Sequence, residues 1–376
     1  MSQIVPLSLP DISDNEIKVV SKVLKSGWLA HGEWNKKFES EFSSFIGVKN
    51  SISMNSCTSA LEIALKVNDI KGEVVIPSMT WCATANAVIN AGAKPIFCDV
   101  EPDTRNVSAN TILPLINKRT EAIIVVHFGG QTCNMEEIVK LSKKYKLLLI
   151  EDSAETLGGT WKKKKAGSFG IGCFSFFPTK NITTGEGGMF TCSDNIIANK
   201  ARAFIGHGIT NSTFDRERKK YKPWIREASY AGHNFRMPNP LAALGFLQLK
   251  KISKMNKKRN TLANYYNKKL SQFDFIKTPI CHKDVYHSYQ MYTVEVDKKI
   301  RNKFVNFLRS KNILASVHFY PPVHLQPFYK NIKNRVNLSI TEELSERLVT
   351  MPMYSTLKKN QIDYITDTIK NFKSRN

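Results

Sequence analysis

Hydrophobic positions along this chain change period twice. Residues 14–25 carry Ile17, Val20 and Val23–Leu24 at helical spacing, and Ser26-Gly27 follows as a stop. Residues 35–46 put Phe38, Phe42 and Phe45 on one face of a second helix. After Gly47 the pattern becomes short apolar runs alternating with helical stretches. It predicts strands at 52–54, 73–76, 95–98, 122–126, 147–150, 172–176 and 188–192. Helices are predicted at 58–66, 80–91 and 135–145. Such alternation implies a mainly parallel sheet covered by helices on both faces. Ligands of such sheets bind at the carboxyl ends of the strands.

A long helical stretch at 241–272 follows, with Leu244, Leu247 and Leu249. Beyond it the pattern predicts strands at 289–296 and 315–318 and helices at 303–311, 340–349 and 359–372. That predicts a large α/β domain over residues 1–245 and a small C-terminal α+β domain over 246–376. A 42% hydrophobic content supplies a sizeable core and excludes a disordered chain.

The net charge of +23 narrows the picture less than its size suggests. The lysines are spread over the whole chain, and the clusters at 161–167 and 214–226 are short. No helix-turn-helix, zinc-finger or RNP-like motif accompanies them, so nucleic acid is not an expected partner. The 214–226 cluster, with Arg216, Arg218 and Arg226, reads equally as a solvated loop or as a site for a phosphorylated ligand. No apolar run reaches membrane-spanning length, and the N-terminus lacks the pattern of a secretory leader. Seven scattered cysteines without a CxxC pair fit free thiols in the cytoplasm. Eight histidines show no HxH or HxxxH pair and read as core or hydrogen-bonded residues, so no metal is expected.

The candidate chemistry sits at the ends of predicted strands. Lys180 follows the apolar run Cys173–Phe177 and precedes a turn rich in glycine. Alone it would be one surface lysine among many. In a confined pocket its amine becomes available as a nucleophile. Asp152 closes the run LLLIED, as a helix cap, a turn residue or the partner of a protonated ring nitrogen. Ser56-Cys57-Thr58-Ser59 opens a helix whose free N–H groups suit an anion. Ser175 lies five residues before Lys180 and within reach of the same anion. Trp81, at the start of the next helix, is a ring-stacking residue or an ordinary core aromatic.

Together these segments resemble the DegT/StrS group of sugar aminotransferases, in the aspartate-aminotransferase superfamily. NSCTSALEIAL is similar to the group's phosphate turn SSGTAAL, IEDSAETLG to its IEDAAHALG, and FSFFPTKNITTGEGG to its cofactor-lysine motif. HGI at 207–209, GHNFRMPNP at 232–240 and HFYPPVHLQPFY at 318–329 follow in the same order. The resemblance implies a fold type I large domain and pyridoxal phosphate as cofactor. Lys180 would form the Schiff base with the cofactor and move the proton. Asp152 would hold the pyridine nitrogen and Trp81 would stack on the ring. Cys57, Thr58 and Ser175 would hold the phosphate, with Asn234 reaching it from the other subunit of a homodimer with shared active sites. Glu155, Tyr320, His324 and Arg216 would lie toward the substrate, a keto-sugar on a nucleotide, with glutamate as donor.

Three positions depart from the group. Cys57 stands for its usual Gly, Phe177 for a common His, and Glu155 for a common His or Gln. Glu at this last position occurs in perosamine-synthase-like members, which tilts the expectation toward a GDP-linked 4-keto-6-deoxy sugar. Aminocyclitol or other keto-sugar transamination is the alternative within the fold, and a silent binding relative the alternative outside enzymes. Relatives that dehydrate sugars carry His in place of the lysine, so Lys180 favours transamination.

Overall fold

The computed structural model describes residues 4–210, 224–332 and 335–372. Its strands are β1 (Asn50–Met54), β2 (Glu73–Pro77), β3 (Lys94–Cys98), β4 (Thr120–Val126) and β5 (Leu148–Asp152). Next come the short β6 (Thr160–Trp161) and β7 (Lys164–Lys165), then β8 (Ile171–Ser175) and β9 (Gly188–Cys192). Seven of them form one sheet in the order β1-β9-β8-β5-β4-β2-β3. From β3 to β8 all neighbours run parallel, whereas β9 is antiparallel to both β8 and β1. This is the expected α/β architecture with a mixed, mainly parallel sheet.

Side-chain alternation divides each central strand between two cores. Val74 and Ile76, Ala122 and Ile124, and Ile150 face one layer, with helices Cys57–Lys66, Cys82–Asn90 and Asn195–Ile205. Val75, Ile123, Val125 and Leu149 face the other, with helix Met135–Tyr145. Strands buried on both faces read as continuous apolar runs, which is why they were visible in the sequence.

A third core joins Phe38 and Phe42 of helix Glu33–Ile46 to Phe174 and Phe176. The first half of the long helix Asn239–Leu270 closes this core through Ala242, Leu249 and Ile252. Its second half, from Leu262 to Leu270, packs in a fourth core with Tyr292, Val294, Phe304 and Ile362. The helix crosses residues 245–246 unbroken, so one rod ties the two cores together.

Several elements differ from expectation. On helix Asp14–Lys25, Val23 is buried as expected, but Ile17 and Leu24 face outward and Glu16 is buried in their place. Glu16 caps Ser13 and is bonded by Gln248 and Lys251 of the long helix, so polar groups decide the inward face. The expected strand 315–318 is a single bridge, Ser316 to Thr350. The end of the expected helix 340–349 is instead β12 (Leu348–Met351), paired with β11 (Tyr292–Glu295) after the helix Ser339–Arg347. Helix Lys298–Ser310 starts earlier than its apolar residues suggest, because the Asp297 carboxylate accepts from the Lys299 N–H and caps it. Helix Asn195–Ile205, capped by Asp194, is an addition to the expected elements. β10 (Val285–Tyr286) pairs with β6 in a small sheet of its own. Among the described residues no helix is long and apolar enough to cross a membrane.

Candidate active site

Strands β2, β4, β5 and β8 end at one side of the sheet, and a cavity of about 460 Å³ opens there. Asp152 is the last residue of β5 and Ser175 the last of β8. Phe176 N–H donates to the Gly187 carbonyl and Thr184 N–H to the Phe176 carbonyl. These bonds fold the chain back over Phe177–Thr183 and leave Lys180 at the cavity wall.

Lys180 Nζ lies 3.5 Å from Glu155 Oε1, and both side chains are largely buried. The other carboxylate oxygen of Glu155 accepts from the Gly129 N–H at 2.8 Å. Glu155 is thereby anchored to the turn after β4 and aimed at the lysine. Asp152 is also buried. Its Oδ2 accepts from Thr84 Oγ1 at 2.9 Å, and its Oδ1 from the Ala154 N–H at 3.2 Å. Burial pushes the Asp152 pKa up, while the Thr84 and Ala154 bonds and the charge of Lys180 pull it back. Cys57 Sγ sits 3.9 Å from Asp152 Oδ1. Burial pushes that thiol far above its ordinary range, with the Asp152 carboxylate adding to the effect, so Cys57 faces Asp152 as S–H.

The anion site is built by helix Cys57–Lys66. Its N-cap Ser56 accepts from the Ser59 N–H at 3.1 Å. The N–H groups of Cys57 and Thr58 have no acceptor within the helix. Cys57, Thr58 and Ser175 all line the cavity. Gly188 makes this approach possible: a Cβ there would lie 2.3 Å from the Ser56 carbonyl carbon and 2.5 Å from the Cys57 nitrogen. Trp81 is the N-cap of helix Cys82–Asn90, lines the cavity and is 63% exposed, which removes the core-aromatic alternative.

Other expected residues lie elsewhere. His324 is buried, with Nδ1 2.6 Å from Ser78 Oγ and Nε2 3.1 Å from Glu342 Oε1. It pins the segment Val323–Leu325 to the end of β2 and is not among the residues that line this cavity. Tyr320 is likewise off the cavity wall, exposed, with the Arg301 guanidinium 4.6 Å from its ring. Asn234 accepts from the Arg236 guanidinium and is not part of the cavity wall of its own chain. Arg216 lies outside the described residues. The sequence reading missed His318, Met291, Gln290 and Thr84, all in the cavity wall. His318 Nδ1 lies 2.9 Å from Thr350 Oγ1, and its pKa is pushed down chiefly by burial. Its position in HFYPPVH was the available signal, overshadowed by Tyr320 and His324.

The residues present fit pyridoxal phosphate. A buried carboxylate, an amine, an exposed indole and an open helix N-terminus line one cavity. These donor types match a ring nitrogen, an aldehyde, a flat ring and a phosphate.

Residues 10–370 match the DegT/DnrJ/EryC1/StrS aminotransferase family. The chain is 34% identical over 375 residues to the spore coat polysaccharide biosynthesis protein SpsC of Bacillus subtilis, covering 97% of this chain and 96% of SpsC. In structure it is similar to PseC of Helicobacter pylori, an aminotransferase involved in the biosynthesis of pseudoaminic acid. The TM-score is 0.90 at 29% identity, over 98% of each chain. It is also similar to Spr1654 of Streptococcus pneumoniae solved in its PLP form, with a TM-score of 0.89 at 26% identity over 98% of each chain.

Proposed function

Since the chain belongs to the DegT/DnrJ/EryC1/StrS aminotransferase family, we propose that it moves an amino group from glutamate to a keto-sugar carried on a nucleoside diphosphate. The coarser statement stands on its own: the protein is a sugar aminotransferase dependent on pyridoxal phosphate. The favoured sugar is a 4-keto-6-deoxy hexose of the GDP-perosamine type. That choice rests on the resemblance of Glu155 to perosamine-synthase-like members, and it is supported by the place of its carboxylate, 3.5 Å from Lys180 and anchored by the Gly129 N–H.

Pyridoxal phosphate, when bound, supplies an aldehyde carbon and a ring that stores the electron pair freed at the donor's α-carbon. Asp152 would hold the ring nitrogen, Trp81 the ring face, and Cys57, Thr58 and Ser175 the phosphate. Lys180 Nζ is the base that takes the donor's α-proton and returns a proton to the sugar carbon. Glu155, fixed by its backbone donor, keeps that amine oriented and faces the sugar. Burial pushes the His318 pKa down, which disfavours a charged imidazole at the cavity wall.

In this reading residues 1–245 carry the cofactor, residues 246–376 form the smaller domain, and the enzyme works in the cytoplasm as a homodimer. Asn234 then serves the partner's site, since the wall of its own cavity lacks it. The test is a panel of nucleotide keto-sugars incubated with glutamate and read by mass spectrometry. Amination of GDP-4-keto-6-deoxymannose is the expected outcome. Amination of only aminocyclitol ketones would replace the substrate assignment.

A further inference from the structure

A carboxylate offers about four lone-pair positions. On Asp152 the protein fills three, and Thr84 Oγ1 at 2.9 Å is the nearest donor of the set. An ionised Asp152 only accepts, so the single hydroxyl proton of Thr84 must point at Oδ2. Thr84 Oγ1 then has a lone pair left, and Thr80 Oγ1 lies 2.8 Å away. Thr80 is therefore the donor to Thr84, and the two hydroxyls form a chain directed toward Asp152. Both threonines are buried, at 2% and 0% exposure, so no bulk water competes for these bonds. Thr84 stands three residues after Trp81 in the first turn of helix Cys82–Asn90. One helix start thus presents an indole to the cavity and a hydroxyl to the carboxylate behind it.

We propose that Thr84 is a positioning residue: its hydroxyl, oriented by Thr80, holds the Asp152 carboxylate ionised and fixed so that its remaining lone pair meets the ring nitrogen of the cofactor. This rests on the reading that Asp152 receives that nitrogen. Burial alone works against an ionised Asp152, and the Thr84 bond is the first of the groups opposing it. A hydroxyl donated to an ionised acceptor is among the stronger protein hydrogen bonds. Valine has the shape of threonine without the donor, and serine keeps the donor without the methyl.

The test titrates the full-length apo chain with pyridoxal phosphate and follows the absorbance of the bound cofactor. Thr84→Val should weaken cofactor affinity roughly ten- to a hundredfold, and Thr84→Ser should stay within about threefold of wild type. In an Asp152→Asn background, Thr84→Val should cost clearly less than in wild type, because the amide oxygen still accepts but the charge that the hydroxyl holds has gone. Thr80→Val is the second variant should Thr84→Val not fold, and a severalfold loss is expected there. Wild-type affinity in Thr84→Val or in Thr80→Val, or an undiminished Thr84→Val loss in the Asp152→Asn background, overturns the proposal. A wild-type chain that takes up no pyridoxal phosphate overturns the functional reading as well. That outcome differs from failure of the Thr84 assignment alone, in which wild type and variant bind equally.

Discussion

Replacing Gly188 by alanine tests the anion site through sterics alone. Gly188 opens β9 and pairs with Met54 and Ser175. Its missing Cβ would lie 2.3 Å from the Ser56 carbonyl carbon, 2.4 Å from its oxygen and 2.5 Å from the Cys57 nitrogen. Ordinary contact begins at 3.4 Å, so the start of helix Cys57–Lys66 must retreat by roughly 1 Å. The obstructing atoms are backbone, and no rotamer change relieves them. Overpacking of this kind costs about 1–3 kcal/mol of stability. A shift of about 1 Å in a positioning group costs about a hundredfold in rate. The assay pairs urea denaturation of the apo chain with a titration of pyridoxal phosphate. Gly185→Ala is the control, because its Cβ meets nothing within 4 Å while its φ is +80°. It should lose about 1–2 kcal/mol through backbone strain and keep wild-type cofactor affinity. Normal affinity in Gly188→Ala would refute the placement of the phosphate at Cys57 and Thr58.

Glu155→Gln should slow amination of the sugar far more than the half-reaction with glutamate, measured separately by stopped-flow absorbance; equal losses contradict its place toward the sugar. His287 has its pKa pushed down to about 3, by burial first and by the Arg105 charge second. The unfolded chain therefore binds a proton there that the folded chain refuses. Its share of stability is complete above pH ~6.5 and is lost as pH falls from there toward ~3. His287→Gln should flatten the pH dependence of denaturant unfolding in that window, and an unchanged slope contradicts the assignment. Mixing Lys180→Ala with an inactive Asn234 variant, with subunit exchange verified, should restore about a quarter of normal activity, because one site of each mixed dimer collects both defects and the other none. No recovery would place Asn234 in its own chain's site.

The sheet was legible because strands buried on both faces leave unbroken apolar runs, and because Asp152 and Lys180 directly follow such runs. Helix Asp14–Lys25 was legible as a helix but not in its orientation. The polar contacts of Glu16 with Gln248 and Lys251 outweigh the stripe formed by Ile17 and Leu24. Strand β12 hid inside a helical pattern because its partner β11 lies more than fifty residues away. The rest of the cavity wall was hidden for the same reason. His318, Met291 and Gln290 reach the site through long-range pairing of the C-terminal segments, and nothing local marks them. Thr84 reads as an ordinary residue in a helix until the fold sets it 2.9 Å from Asp152. His324 carries the opposite lesson: its motif position suggested the substrate, while Ser78 and Glu342 engage both ring nitrogens.

The central claim is that Lys180 is the residue bonded to pyridoxal phosphate. The purified chain, loaded with the cofactor, is reduced with borohydride, digested and read by mass spectrometry. The account predicts one cofactor adduct, on the peptide that holds Lys180, and its disappearance in Lys180→Ala. An adduct on any other lysine, or none at all in a loaded wild-type chain, would contradict it.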